Sequence, residues 1–168
     1  MKSEIIVGID PGSRALGYGV VEVSNKGLKA LEWGVLKPKV KDLAQRLCYL
    51  SRELENLFSK YQPQHIAVEK VFLGKNPDSA FVLGHARGVV LAASAKVKGE
   101  ISEYAARSIK KSVTGNGNAD KEHVRKVVEA LLKIQVAELD ATDALSMAIA
   151  HSRELEKVRK FEQQGVQL

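Results

Sequence analysis

The chain has a single cysteine, Cys48, in 168 residues. That excludes an internal disulfide and any multi-cysteine zinc or iron–sulfur centre. No run of about 18 apolar residues occurs, so no transmembrane helix is expected. The opening MKSEIIVGIDPG lacks the apolar core and small-residue cleavage site of a secretory leader. A cytoplasmic protein with no membrane partner is the resulting expectation. Internal repeats, low-complexity tracts and linker-like segments are missing too, and the length suits one domain over residues 1–168, fraying from about residue 155. What is abundant is charge. Lys plus Arg is 26 against 20 Asp plus Glu, a formal +6, with a pI near 9.4. Such a balance points to an acidic partner, nucleic acid before a membrane surface. The surplus is local: between Tyr104 and Lys133 seven basic residues face three acidic ones.

Three strand-like runs open the chain, at about residues 4–10, 16–24 and 28–37. The first stops at Pro11-Gly12, and Asn25-Lys26-Gly27 supplies a hairpin turn between the other two. Leu43, Leu47, Leu50, Leu54 and Leu57 then recur at helical spacing, with Cys48 beside that stripe as an expected buried thiol. A fourth strand is expected over 65–71, a helix over 78–98, a short strand at 100–103, and helices over 104–113, around 124–132 and from about 140. This order predicts an α/β fold: a mixed five-stranded sheet, its first three strands antiparallel, with helices on both faces.

Four carboxylates carry the chemistry. Asp10 ends an apolar strand, and Glu69 follows the apolar run Ile66-Ala67-Val68. A charge emerging from a core strand is costly unless it is paired. Asp140 and Asp143 share a helix face at i and i+3. Oxygen donors without histidine or cysteine suit hard cations, Mg²⁺ or Mn²⁺, and two such ions about 4 Å apart can support phosphodiester cleavage. Plainer roles exist. Asp140 can cap a helix with Asp143 completing a capping box, and Asp10 can shape a turn. Phe72 can stack on bases or fill a core. Arg14, Arg107, Lys110, Lys111 and Lys121 can contact phosphates or form solvated faces. The four histidines are dispersed, and His151 is expected on a helix face rather than at a metal.

Four segments together, IVGIDPGSRALGYGV, AVEKVFLGKNPDSAFVLGHARGVV, EYAARSIKKSVTGNGNADKEHV and LDATDALSMAIAH, resemble the RuvC family of crossover junction endodeoxyribonucleases over residues 4 to about 152. The resemblance implies an RNase H-like fold and a Mg²⁺-dependent nuclease with two ions per subunit, Mn²⁺ substituting. It places the catalytic and metal-binding positions on Asp10, Glu69, Asp140 and Asp143, the base-stacking aromatic on Phe72, and functional lysines on Lys110 and Lys121. It further implies a homodimer that nicks four-way (Holliday) DNA junctions symmetrically in recombination and repair, working with the RuvA–RuvB branch-migration complex. Two other readings fit parts of the pattern. Compact RNase H-like proteins of the YqgF type, which process ribosomal RNA precursors, share the style of the opening motif. Sugar kinases and actin-like ATPases share the first loop, but need a second Asp-x-Gly loop that is not present.

Overall fold

The computed structural model of the chain describes residues 3–70 and 77–163. β1 (Glu4–Asp10) is buried from Ile6 to Ile9, as the middle of a central strand must be. β2 (Leu16–Ser24) and β3 (Gly27–Leu36) follow it as an antiparallel meander. Their hairpin closes at Gly27, whose φ of +100° lies in the left-handed region that glycine tolerates. After α1 (Leu43–Tyr61), β4 (His65–Glu69) returns beside β1 in parallel. α2 (Pro77–Ser94) leads to β5 (Glu100–Tyr104), parallel to β4. The sheet order is β3-β2-β1-β4-β5, the mixed sheet expected from the sequence. α3 (Ala106–Thr114), α4 (Lys121–Leu132) and α5 (Leu139–Gln163) complete the chain.

Strand alternation divides the core in two. Val7, Ile9, Ile66 and Val68 pack under α1 and α2 with Leu50, Leu54, Phe58 and Val90. Ile6 and Ala67 face the other way, onto α3, α4 and α5 with Ile109, Val128, Leu145 and Ile149. α5 lies so close to the sheet that side chains cannot fit beneath it. A Cβ on Gly8 would stand 1.9 Å from the Ala144 carbonyl oxygen, and one on Gly17 would stand 2.0 Å from that of Asp140.

Several local expectations change. Cys48 is exposed, because α1 turns Leu50, Leu54, Leu57 and Phe58 inward and position 48 lies about 140° around the helix from the leucine stripe. α2 ends at Ser94 rather than near Lys98. The Ser94 hydroxyl donates to the Val90 carbonyl, and residues 96 and 97 tighten into i→i−3 bonds. Asp140 is not the cap of α5. The helix starts one residue earlier, and the Glu138 carbonyl accepts from both the backbone N–H and the hydroxyl of Thr142. At its far end α5 stays helical through Gln163, tied by an Arg159–Glu4 ion pair and by Arg153 donating to the Ser112 carbonyl.

His151 is buried within α5 instead of lying on an outer face. Its Nδ1 shares a 2.6 Å hydrogen bond with the Tyr104 hydroxyl, and its ring lies 4.9 Å from that of His65. Burial first, then the His65 ring, pushes its pKa down from 6.5 to about 4. The folded chain therefore holds His151 neutral where the unfolded chain takes up a proton. Its stabilising contribution is complete above about pH 6.5 and is lost as pH falls toward 4. Denaturant unfolding at pH 7 and pH 4.5 should show wild type losing about 2 kcal/mol more than His151→Phe. An equal loss in both proteins would remove this account.

Candidate active site

β1 and β4 end side by side. Ile9 pairs with Val68, so the next residue on each strand is an acid: Asp10 on one, Glu69 on the other. Alternation sends both to the α5 side, since Asp10 shares a face with Ile6 and Gly8, and Glu69 with Ala67. There the first turn of α5 supplies Asp140, and Asp143 follows at i+3. The glycine seat fixes this approach, because the Asp140 backbone rests directly on Gly17.

The four charges feel one another. Asp10 is pushed up from 3.8 to about 8, by burial first and then by the negative charges of Glu69, Asp143 and Asp140. The Glu69 carboxyl lies close enough to Asp10 to add a further, smaller upward push. Glu69 is also raised, mainly by burial and by Asp143, against the lowering pull of Lys121 and Lys110. Lys121, at the start of α4, places its Nζ 3.0 Å from Asp143 Oδ2. Its pKa is raised chiefly by that bond, with Asp10 and Asp140 adding to it.

The expected residues thus separate. Asp10, Glu69, Asp140, Asp143 and Lys121 come together, with Lys110 close enough to influence Glu69. Arg107 and Lys111 lie exposed on α3, and neither pairs with a carboxylate among the described residues. Arg14 is exposed on the loop after Asp10. Phe72 lies outside the described residues. Sequence reasoning missed Lys37, at the foot of β3, which pairs with Glu138 and feels the charge of Asp140. Its only signal was a basic residue before Pro38.

Four clustered carboxylates, with Asp10 and Glu69 both raised, present an oxygen-only donor set that repels itself. That chemistry fits hard divalent cations. Among the described residues no three acidic or histidine side chains are already arranged to hold an ion. Asp143 instead pairs with Lys121.

A mixed five-stranded sheet, covered by helices on both faces and carrying acids at the ends of its central parallel strands, defines the RNase H-like class. Within that class the match is specific. The model of the family "Crossover junction endodeoxyribonuclease RuvC" matches residues 6–151, and the chain belongs to that family. It is 43% identical over 157 residues to the RuvC of Bdellovibrio bacteriovorus, covering 92% of this chain and 94% of that one. It is 44% identical over 148 residues to the RuvC of Pectobacterium atrosepticum, covering 88% and 87%. Among solved structures, Thermus thermophilus RuvC in complex with a Holliday junction substrate is similar with a TM-score of 0.85 at 27% identity, over 92% of this chain and 96% of that one. The family is one of metal-dependent nucleases. Among the described residues, no helix is long and apolar enough to cross a membrane.

Proposed function

We propose that the protein is a structure-selective endonuclease that resolves four-way DNA junctions by paired, symmetric nicks in recombination and repair. The observation that carries this reading is the grouping of Asp10 and Glu69 at the adjacent ends of β1 and β4 with Asp140 and Asp143 of α5, close enough for all three to act on Asp10, and with Lys121 on Asp143. Family membership supports the substrate.

Asp10, Glu69, Asp140 and Asp143 would hold two Mg²⁺ ions per subunit, with Mn²⁺ as a substitute. Bound there, such ions would supply an activated water and stabilise the departing oxygen. Lys121 moves from Asp143 toward the scissile phosphate, where its charge offsets the negative charge that builds up in the transition state. Water adds to phosphorus and the bond to the 3′ oxygen breaks, leaving a 5′-phosphate and a 3′-hydroxyl. Lys110, Arg14, Arg107 and Lys111 serve as backbone phosphate contacts, and Phe72 as the aromatic that stacks on junction bases.

Paired cuts require two sites, and one chain supplies one. A second copy fits the outer face of α2. Phe81 there is 72% exposed, the positions of Gly84 and Gly88 have nothing within 4 Å, and the groove toward α1 is apolar, lined by Leu47 and Val89. Homodimerisation, partnership with RuvA–RuvB and cytoplasmic residence complete the proposal.

The test compares a synthetic four-way junction with linear duplex of the same sequence, with and without Mg²⁺. Symmetric nicks in the junction alone, dependent on the cation, are expected. Equal cleavage of the duplex would defeat the assignment.

A further inference from the structure

Lys121 and Lys110 reach the carboxylates from the sheet face that α3, α4 and α5 cover. A second pair of cations, Arg14 and Arg46, lines a pocket on the opposite side, and the cleavage reading gives a role to Arg14 alone. Arg46, in the first turns of α1, has its Nε buried with no hydrogen-bond partner, and it makes no ion pair among the described residues. Five of the other arginines are held differently. Arg52, Arg87, Arg125 and Arg159 each pair with a carboxylate, and Arg153 donates to carbonyls. A guanidinium is always charged, so leaving it partly desolvated and unpaired costs free energy without stabilising the fold.

Arg46 lines an open pocket together with Arg14, Gly12, Ser13 and Ser79. Arg14 also lacks an ion pair among the described residues. Asp78 stands at the pocket's edge and leaves the local balance at one positive charge. The pocket adjoins the site by chain connectivity. Gly12 is two residues beyond Asp10, so their Cα atoms lie within about 7.6 Å of each other. Two forked donors beside a hydroxyl match the planar, multi-oxygen geometry of a phosphate.

We infer that Arg46 and Arg14 form a second phosphate clamp, which grips a backbone phosphate flanking the scissile one on the α1/α2 side of the sheet. The nucleic-acid strand then crosses the carboxyl ends of β1 and β4 between two basic jaws, Lys110 and Lys121 on one side and the arginine pair on the other. This inference rests on the nuclease reading and adds the path of the strand.

Equilibrium binding of a fluorescent four-way junction in EDTA, across 50–200 mM KCl, tests it with wild type, Arg46→Gln and Arg46→Lys. Arg46→Gln should weaken binding by about five- to tenfold at 100 mM salt. It should also flatten the plot of log affinity against log salt by about 0.9 for each phosphate that the variant leaves unneutralised. Arg46→Lys should keep most of the slope, and thermal melting of both variants should match or exceed wild type. Unchanged affinity and slope in Arg46→Gln, while wild type binds and cuts junctions, would overturn the clamp and leave the nuclease reading standing. A lower melting temperature with an unchanged salt slope would assign Arg46 a packing role and overturn it equally. Wild-type protein that neither binds nor cuts junctions removes the nuclease reading, and the clamp with it.

Discussion

Asp10→Asn is expected to lower Mg²⁺-dependent junction cleavage by about three orders of magnitude while making the metal-free protein more stable. The loss follows from position. Asp10 stands at the end of the central strand, within the electrostatic reach of Glu69, Asp143 and Asp140, so a cation placed among the four acids lies beside it. Losing a ligand that supports Lewis-acid chemistry removes several kcal/mol of transition-state stabilisation, equivalent to roughly a thousandfold. The gain in stability has the same origin. The folded chain holds a proton on Asp10 up to about pH 8, whereas the unfolded chain releases it near 3.8. Protons are thus bound more tightly in the folded state, and this group's contribution declines as pH rises through that window. An amide is neutral throughout and removes the decline. The variant should gain about 1–2 kcal/mol at pH 8 in EDTA, or roughly 2–8 °C in Tm. Wild type should recover stability on addition of Mg²⁺, and the variant should recover little. A variant that melts lower than wild type in EDTA would contradict the repulsion, and one that still cuts would remove Asp10 from the site.

Gly8→Ala should destabilise the fold by about 3 kcal/mol and lower Tm by about 10 °C. The added methyl would meet the Ala144 carbonyl oxygen at 1.9 Å, and the atoms on both sides are backbone, so no rotamer change relieves the overlap. α5 must lift from the sheet. Because Asp140 and Asp143 ride on its first turn, their distance from Asp10 grows. A displacement of about 1 Å at a reacting centre costs on the order of a hundredfold in rate. Activity should therefore fall in protein that is still folded, as checked by circular dichroism at 20 °C. Wild-type melting and wild-type cleavage together would show that α5 is not seated as described.

Much of this architecture is readable from the sequence because its signals are local. The apolar runs ending in Asp10 and Glu69 identify central strands with charged tips, and the i, i+3 spacing puts Asp140 and Asp143 together. Less readable is what lies off those stripes and where distant elements meet. Cys48 follows Leu47 in sequence yet lies about 140° from the stripe around α1, which leaves it outside. His151 looks isolated in the sequence because its companions, His65 and Tyr104, are dozens of residues away and meet it only through the parallel pairing of β1, β4 and β5. Asp140 fits a capping residue by type. The helix begins one residue sooner because the bonds to the Glu138 carbonyl leave no sequence trace.

The order in which the chain is synthesised gives α5 a further meaning. The strands and the helices before it emerge first and can begin to pair as they leave the ribosome. Two of the four acids then wait for the other two, which arrive only with the last element. Until Asp140 and Asp143 are made, the acidic group at the ends of β1 and β4 is incomplete. The same delay leaves the glycine-floored trough of β1 and β2 uncovered, a bare apolar surface during synthesis that only the final helix can close.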